Sequence, residues 1–227
     1  MLIPSIDLMG GKVVQLVQGA KKALEFDNVD EWIERFRPYP IVQLIDLDAA
    51  MRQGENRELI RYICHRIPCQ VGGGIRTPED AQTIFRAGAK KVIIGSSLLR
   101  EGRVDLDAAK AFAHAAAAAR LIFAVDSRGG KVSIHGWKQG TDLTPAQMMR
   151  DTEAYCGAFL YTHIDTEGTM TGFPMSVVVE LKSATRRKLI AAGGIRSKQE
   201  IEQLDSLGID AVVGMAIYTG KLASSES

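Results

Sequence analysis

Cysteine is scarce in this chain. Cys64, Cys69 and Cys156 are the only three in 227 residues, an odd number with no CxxC pair, which excludes a disulfide framework and the paired-cysteine zinc motifs. Cys64, His65 and Cys69 sit close enough in sequence to suggest ligands, but they read better as the end of a helix and the start of a buried strand. Neither sign of charge prevails. Lys and Arg number 28 against 27 Asp and Glu, for a net charge of +1, so no global field favours nucleic acid or an anionic membrane, and any bound anion must be held locally. Long hydrophobic runs are missing too. The most apolar stretch, residues 108–119, is interrupted by Lys110 and His114 and falls short of a bilayer span. The amino terminus, MLIPSIDL, enters a strand-like run without the basic and apolar regions of a signal peptide. The expectation is a soluble cytoplasmic protein with neither a nucleic-acid nor a membrane partner.

What the chain does have is alternation. Short β-branched and aliphatic runs at 2–8, 41–46, 69–72, 91–95, 121–126, 158–162, 188–192 and 211–214 are separated by helical patterns at 29–36, 57–65, 78–87, 104–119, 145–154, 175–184 and 198–207. Strands alternating with helices of this size indicate βαβ units and a parallel sheet, and the near-continuous apolarity of the strands suits burial on both faces. Pro78 and Pro145 each follow a threonine, a pairing suited to a helix start. Such a set of strands could stay open or close, and an internal repeat decides the matter. Ile6-Asp7 and Gly10-Gly11-Lys12-Val13 return as Val125-Asp126 and Gly129-Gly130-Lys131-Val132; Gly73-Gly74-Ile75-Arg76-Thr77 returns as Gly193-Gly194-Ile195-Arg196-Ser197. Two four-strand halves, about 1–119 and 120–227, predict a single (βα)8 barrel domain of the TIM type.

Working residues in such barrels lie at the carboxyl ends of strands and in the loops beyond. Asp7, Asp46, Asp126 and Thr162 all end predicted strands. The repeat suggests that Asp7 answers to Asp126, and Asp46 to Thr162. Any single aspartate there is explained as a helix cap; two in repeated contexts point to paired acid–base chemistry. Glycines follow the other strands: Gly73, Gly74, Gly95 and Ser96 in the first half, Gly193, Gly194, Gly214 and Met215 in the second. Glycine admits close backbone approach to a phosphate, and helix-start N–H groups supply donors. Two such sets point to a small-molecule substrate carrying two phosphates. The segment KVSIHGW (131–137) reads as a hairpin extension. It either carries Trp137 over the mouth to stack on a planar ring or packs it as an ordinary loop residue, with His135 in solvent. GAKKALEFD (19–27) reads as a lid whose lysines either reach phosphate or are solvated.

IPSIDLMGGKVVQLVQG, QLIDLDAA, QVGGGIRTPEDA, VIIGSSLL, AVDSRGGKVSIHGW, YTHIDTEGTMTG, AAGGIRS and VVGMAIYTG together resemble the histidine-biosynthesis isomerase family, from Met1 to about Gly220. The sister cyclase family shares the fold and the repeat, but the IPSIDL opening with QLVQG and the GGKVSIHGW segment look like the isomerase. The resemblance implies an Amadori rearrangement of a bis-phosphorylated aminoimidazole carboxamide ribotide, an aminoaldose becoming an aminoketose, by a monomer using neither cofactor nor metal. By analogy Asp126 is the general acid that opens the ribose ring, Asp7 the general base at C2, and Thr162 orients the sugar with Asp46 in support. Departures from the family pattern are Gln15 in place of an arginine, His163 in place of an acid, and Thr166-Glu167-Gly168-Thr169 in the loop after the sixth strand. The lid lacks the usual Gly-Asp-Tyr start, and little sequence is left for an eighth helix. Three alternatives stay open: a dual-substrate form that also takes phosphoribosyl anthranilate, a divergent paralogue acting on another phosphosugar, and a non-catalytic ribotide-binding barrel.

Overall fold

The computed structural model describes residues 1–19 and 21–222. Ala20 of the expected lid and residues 223–227 of the second half lie outside them. The barrel strands are β1 (Leu2–Met9), β2 (Val42–Asp46), β3 (Cys69–Gly72), β4 (Lys91–Ile94), β5 (Leu121–Arg128), β6 (Ala158–His163), β7 (Lys188–Ala192) and β8 (Asp210–Val213). Each pairs in parallel with the next; β8 pairs with β1 and β4 with β5, so the sheet closes on itself. The expected (βα)8 barrel is the observed one.

Between the strands lie α1 (Val29–Phe36), α2 (Arg57–Cys64), α3 (Pro78–Arg86), α4 (Leu106–Ala115), α5 (Pro145–Thr152), α6 (Met175–Ala184) and α7 (Lys198–Ser206), and a single turn, α8 (Met215–Tyr218), follows β8. Their starts are chemically marked. Thr77 and Asp80 form a reciprocal capping box ahead of Pro78, and Thr144 caps Pro145–Thr152 by accepting from Gln147 N. No helix among the described residues is long and apolar enough to cross a membrane.

Strand alternation divides the core into two layers. Ile3, Ile93, Ile122, Leu160, Ile190 and Val212 fill the barrel interior, as expected where alternate strands contribute side chains to packed tiers. The opposite faces, with Ile6, Leu8, Leu44, Val71, Val92 and Phe123 among them, meet the helices in a larger apolar shell. Among the buried polar side chains, Gln70 Nε2 donates to Gln43 Oε1 at 3.0 Å. At the amino end of the barrel, Asp210 receives both the terminal ammonium (3.2 Å) and Lys188 (3.0 Å), tying β1 to β7 and β8.

Two hairpins rise from the opposite, carboxyl-end face. After β1, Lys12–Val17 turns back antiparallel and is followed by Lys21–Phe26; after β5, Lys131–Ile134 turns back in the same way. The turns match closely: Gly10 and Gly11 have φ of +58° and +76°, Gly129 and Gly130 +55° and +76°. Successive positive φ values give the tight turn that suits strand twist, and glycine adopts them at little cost. The Gly10 N–H donates to Asp48 Oδ2 at 2.6 Å, and the Gly129 N–H to Asp165 Oδ2 at 2.9 Å. The expected lid is thus in large part a strand. Its Lys22 pairs with Glu25, which also receives Lys12, so this lysine serves the hairpin surface.

Candidate active site

Asp7 and Asp126 stand at the mouth, near the ends of β1 and β5. Asp126 lies opposite Thr162 in the parallel register, whereas Asp7 lies opposite Ile45. The first-half position that answers to Thr162 is therefore Ile45. Asp46 answers to His163, since the backbones of both are covered by the first glycine of the next loop, Gly73 and Gly193. The Asp46–Thr162 correspondence expected from the sequence is off by one residue.

That shift changes the reading of Asp46. Its side chain is buried and points back into its own loop, accepting from Ala49 N (3.1 Å), Asn56 N (2.7 Å) and Asn56 Nδ2 (2.8 Å). With its oxygens so engaged, it caps the short helix Leu47–Met51 and fixes the second loop. His163 does a related job after β6: its Nδ1 lies 3.0 Å from Thr166 Oγ1, which itself donates to Gly193 O at 2.9 Å. Burial pulls the imidazole below its ordinary pKa, with Asp165 opposing, so a neutral ring fits this hydrogen-bonded position.

The double glycines also change meaning. A Cβ on Gly73 would press into the backbone of Asp46, and one on Gly74 would sit 2.5 Å from the Ala49 side chain; Gly193 and Gly194 stand likewise against His163 and Thr166. They let neighbouring loops nest. Gly73→Ala, at φ +98°, is expected to cost roughly 3 kcal/mol or more from backbone strain plus overpacking; urea unfolding that matches wild type would refute this nesting role. Gly95, by contrast, faces open space: a Cβ added there would meet Ala124 Cβ at 3.8 Å, an ordinary contact. Beside it the Ser96 hydroxyl accepts from His135 N (3.0 Å), bringing the second hairpin over the end of β4. Across the mouth, Gly214 abuts the buried Gln15 amide from the first hairpin, so Gln15 overlies the end of β8.

Electrostatics separates the carboxylates. Burial raises Asp7 to about 6, with the Ser5 hydroxyl, donating to Oδ1 at 3.1 Å, holding it back. Asp126 is likewise raised by burial, with the neighbouring Trp137 indole and Thr162 hydroxyl opposing. Trp137 thus lies beside Asp126 at the mouth. Its ring is covered by the first hairpin, where a Cβ on Gly19 would come within 2.6 Å of the indole.

A third acid completes the group. Glu167, in the loop after β6, is raised to about 8 by burial and by the charges of both Asp7 and Asp126, with only the Gly168 N–H opposing. The motif Thr166-Glu167-Gly168-Thr169 stands out in the sequence only as a departure; an acid next to glycine after a barrel strand is the available signal. The backbone around Glu167 is held by the first hairpin: Gln18 N donates to Glu167 O and Gln18 Nε2 to Asp165 O, each at 3.0 Å. The arrangement offers one carboxyl group raised to about 6 and able to take a proton, and one raised to about 8 and able to give one at neutral pH, with Asp126 and Thr162 beside them.

Comparison with known proteins bears on what such a site acts upon. The family model described as histidine biosynthesis protein matches residues 1–223. A relative from Methanocaldococcus jannaschii is 36% identical over 226 residues, covering 96% of this chain and 94% of its own length. One from Methanococcus voltae is 34% identical over 229 residues (96% and 92%), and one from Thermus thermophilus is 33% identical over 234 residues (100% and 97%). All three relatives are imidazole-4-carboxamide isomerases whose name carries two 5-phosphoribosyl groups.

Proposed function

The chain belongs to the histidine biosynthesis protein family, and from that membership we propose that it is an isomerase converting a bis-phosphorylated aminoimidazole carboxamide ribotide from aminoaldose to aminoketose by an Amadori rearrangement. The observation that carries this reading is the meeting of Asp7, Asp126 and Glu167 at one mouth, with Asp7 and Glu167 raised to different degrees.

In the proposed reaction Glu167 donates its proton to the ribose ring oxygen. The C1–O bond breaks, and the nitrogen lone pair forms a protonated Schiff base at C1. The Asp7 carboxylate then removes the proton from C2, giving an enaminol. Proton return to C1 and loss of the hydroxyl proton yield the ketone at C2. The acid role is given to Glu167 because burial and the two neighbouring carboxylates raise it to about 8, so that it holds a proton at neutral pH. Asp126, beside Trp137 and Thr162, is then placed to balance the positive Schiff base.

The backbone at Gly95-Ser96 and at Gly214-Met215 would receive the two phosphates. Gly73, Gly74, Gly193 and Gly194 shape those loops from behind. The matched glycine turns are what a duplicated half-barrel would leave. A cytoplasmic enzyme acting as a monomer without cofactor or metal completes the reading.

Complementation of a histidine auxotroph lacking the isomerase tests the function, together with turnover of the ribotide by purified protein. Growth and turnover are expected; a folded protein that gives neither would overturn it.

A further inference from the structure

Pairing along β1 changes sides midway. Leu2, Ile3 and Pro4 are in register with Ala211, Val212 and Val213 of β8, and the match ends there because the chain leaves β8 at Gly214. Pairing with β2 takes over the other edge from Ser5 to Leu8. The Ser5 carbonyl, beyond the end of β8, receives instead the hydroxyl of Tyr218, which donates at 2.9 Å from α8. A side chain thus supplies the hydrogen bond that the adjoining strand no longer provides.

Ser5 and Asp7 are two residues apart on one strand, so both side chains face the barrel interior. The Ser5 hydroxyl spends its proton on Asp7 Oδ1. Tyr218 is itself fixed by an aromatic cluster: its ring centroid lies 4.0 Å from Trp32, 5.5 Å from Phe26 and 6.1 Å from Phe36. Phe26 ends the strand Lys21–Phe26, so the root of the first hairpin rests on the same ring that holds Ser5.

We propose that Tyr218 and Ser5 are positioning residues for Asp7: Tyr218 fixes the Ser5 backbone, and the Ser5 hydroxyl fixes the carboxylate rotamer so that Oδ2 is presented to the substrate. This rests on the reading of Asp7 as the base. The other titratable groups facing Asp7 are Glu167, from the loop after β6, and Tyr218 itself, whose phenol is held protonated by burial and by the Asp7 charge; Arg35 of α1 faces Tyr218 from outside the barrel. None of these donates to Asp7 Oδ1 as Ser5 does. The relay therefore predicts a change in the acid limb of the pH profile, which loss of packing alone would leave in place.

The test is the pH dependence of kcat/KM for Ser5→Ala, Ser5→Thr and Tyr218→Phe, with thermal unfolding to verify each fold and Asp7→Asn as reference. Ser5→Ala should move the acid limb upward by roughly half to one pH unit, because the hydrogen bond that favours the carboxylate is gone. Ser5→Thr keeps a hydroxyl and should restore the wild-type limb. Tyr218→Phe should shift the limb in the same direction, and the Ser5→Ala/Tyr218→Phe double variant should shift it no further than Ser5→Ala. A folded Ser5→Ala protein with an unmoved limb, while Asp7→Asn is inactive, sinks the relay and leaves the base assignment standing. Wild-type turnover by Asp7→Asn sinks the base assignment, and the relay with it. A Tyr218→Phe protein that loses thermal stability but keeps its limb removes Tyr218 from the relay.

Discussion

Glu167→Gln is expected to lower kcat/KM by roughly 10²–10⁴, the usual worth of a positioned proton donor, and to remove the alkaline limb that wild type should show near pH 8. Glutamine keeps the size and the hydrogen-bonding reach of the side chain but has no acidic proton to give. The stability of the same variant carries a second signature. Glu167 is raised on folding, so its contribution is fully present below its unfolded value near 4.5 and is lost as pH rises through about 8. Asp7, raised to about 6, acts in the same direction over a lower window. Wild type should therefore lose stability between about pH 4 and pH 8, and Glu167→Gln should lose less, becoming the more stable protein at pH 9. Denaturant unfolding across that range distinguishes the cases. Equal slopes for the two proteins would mean that Glu167 is not protonated in the fold at neutral pH.

Asp7→Asn should be at least as damaging to turnover, again by roughly 10²–10⁴, since Asp7 has only Oδ1 bonded to Ser5 and a pKa raised to about 6 that suits a base. Removing its charge also acts on its neighbour. The Asp7 carboxylate is one of the causes that raise Glu167, so Glu167 should titrate at lower pH in the Asp7→Asn protein. Difference infrared spectroscopy of the carboxyl stretch, read against pH, would follow that change without needing turnover. If the carboxyl signal does not move, the two acids are not coupled through space. The pair should otherwise behave as one system, with apparent values near 6 and 8 belonging to both.

The barrel strands were legible because buried parallel strands are apolar throughout, and the two hairpin turns because paired glycines recur ahead of Lys-Val. Lys21–Phe26 was not legible as a strand: KKALEF is mostly exposed, so its sequence bears little mark of burial, and its pairing is supplied by Lys12–Val17. The correspondence of Asp46 with Thr162 failed by one residue because both end apolar runs; only the register, Asp7 with Ile45 and Asp126 with Thr162, tells the last inward position from the first residue of the loop. The double glycines stand where the sequence puts them, and they also let distant loops nest. Their neighbours Asp46 and His163 are 27 and 30 residues away in the chain, and no local pattern announces such contacts. Glu167 is hidden for the same reason, since its burial and both charges that raise it are tertiary facts.

The two tryptophans of the chain occupy very different ground. Trp32 is 2% exposed within the aromatic cluster against α8, while Trp137 lies at the mouth between Asp126 and Gly19. The protein thereby contains a buried fluorophore and a mouth fluorophore in one chain. With Trp32 replaced by phenylalanine, the remaining tryptophan emission would come from the indole beneath the first hairpin, an optical reporter of what enters the mouth.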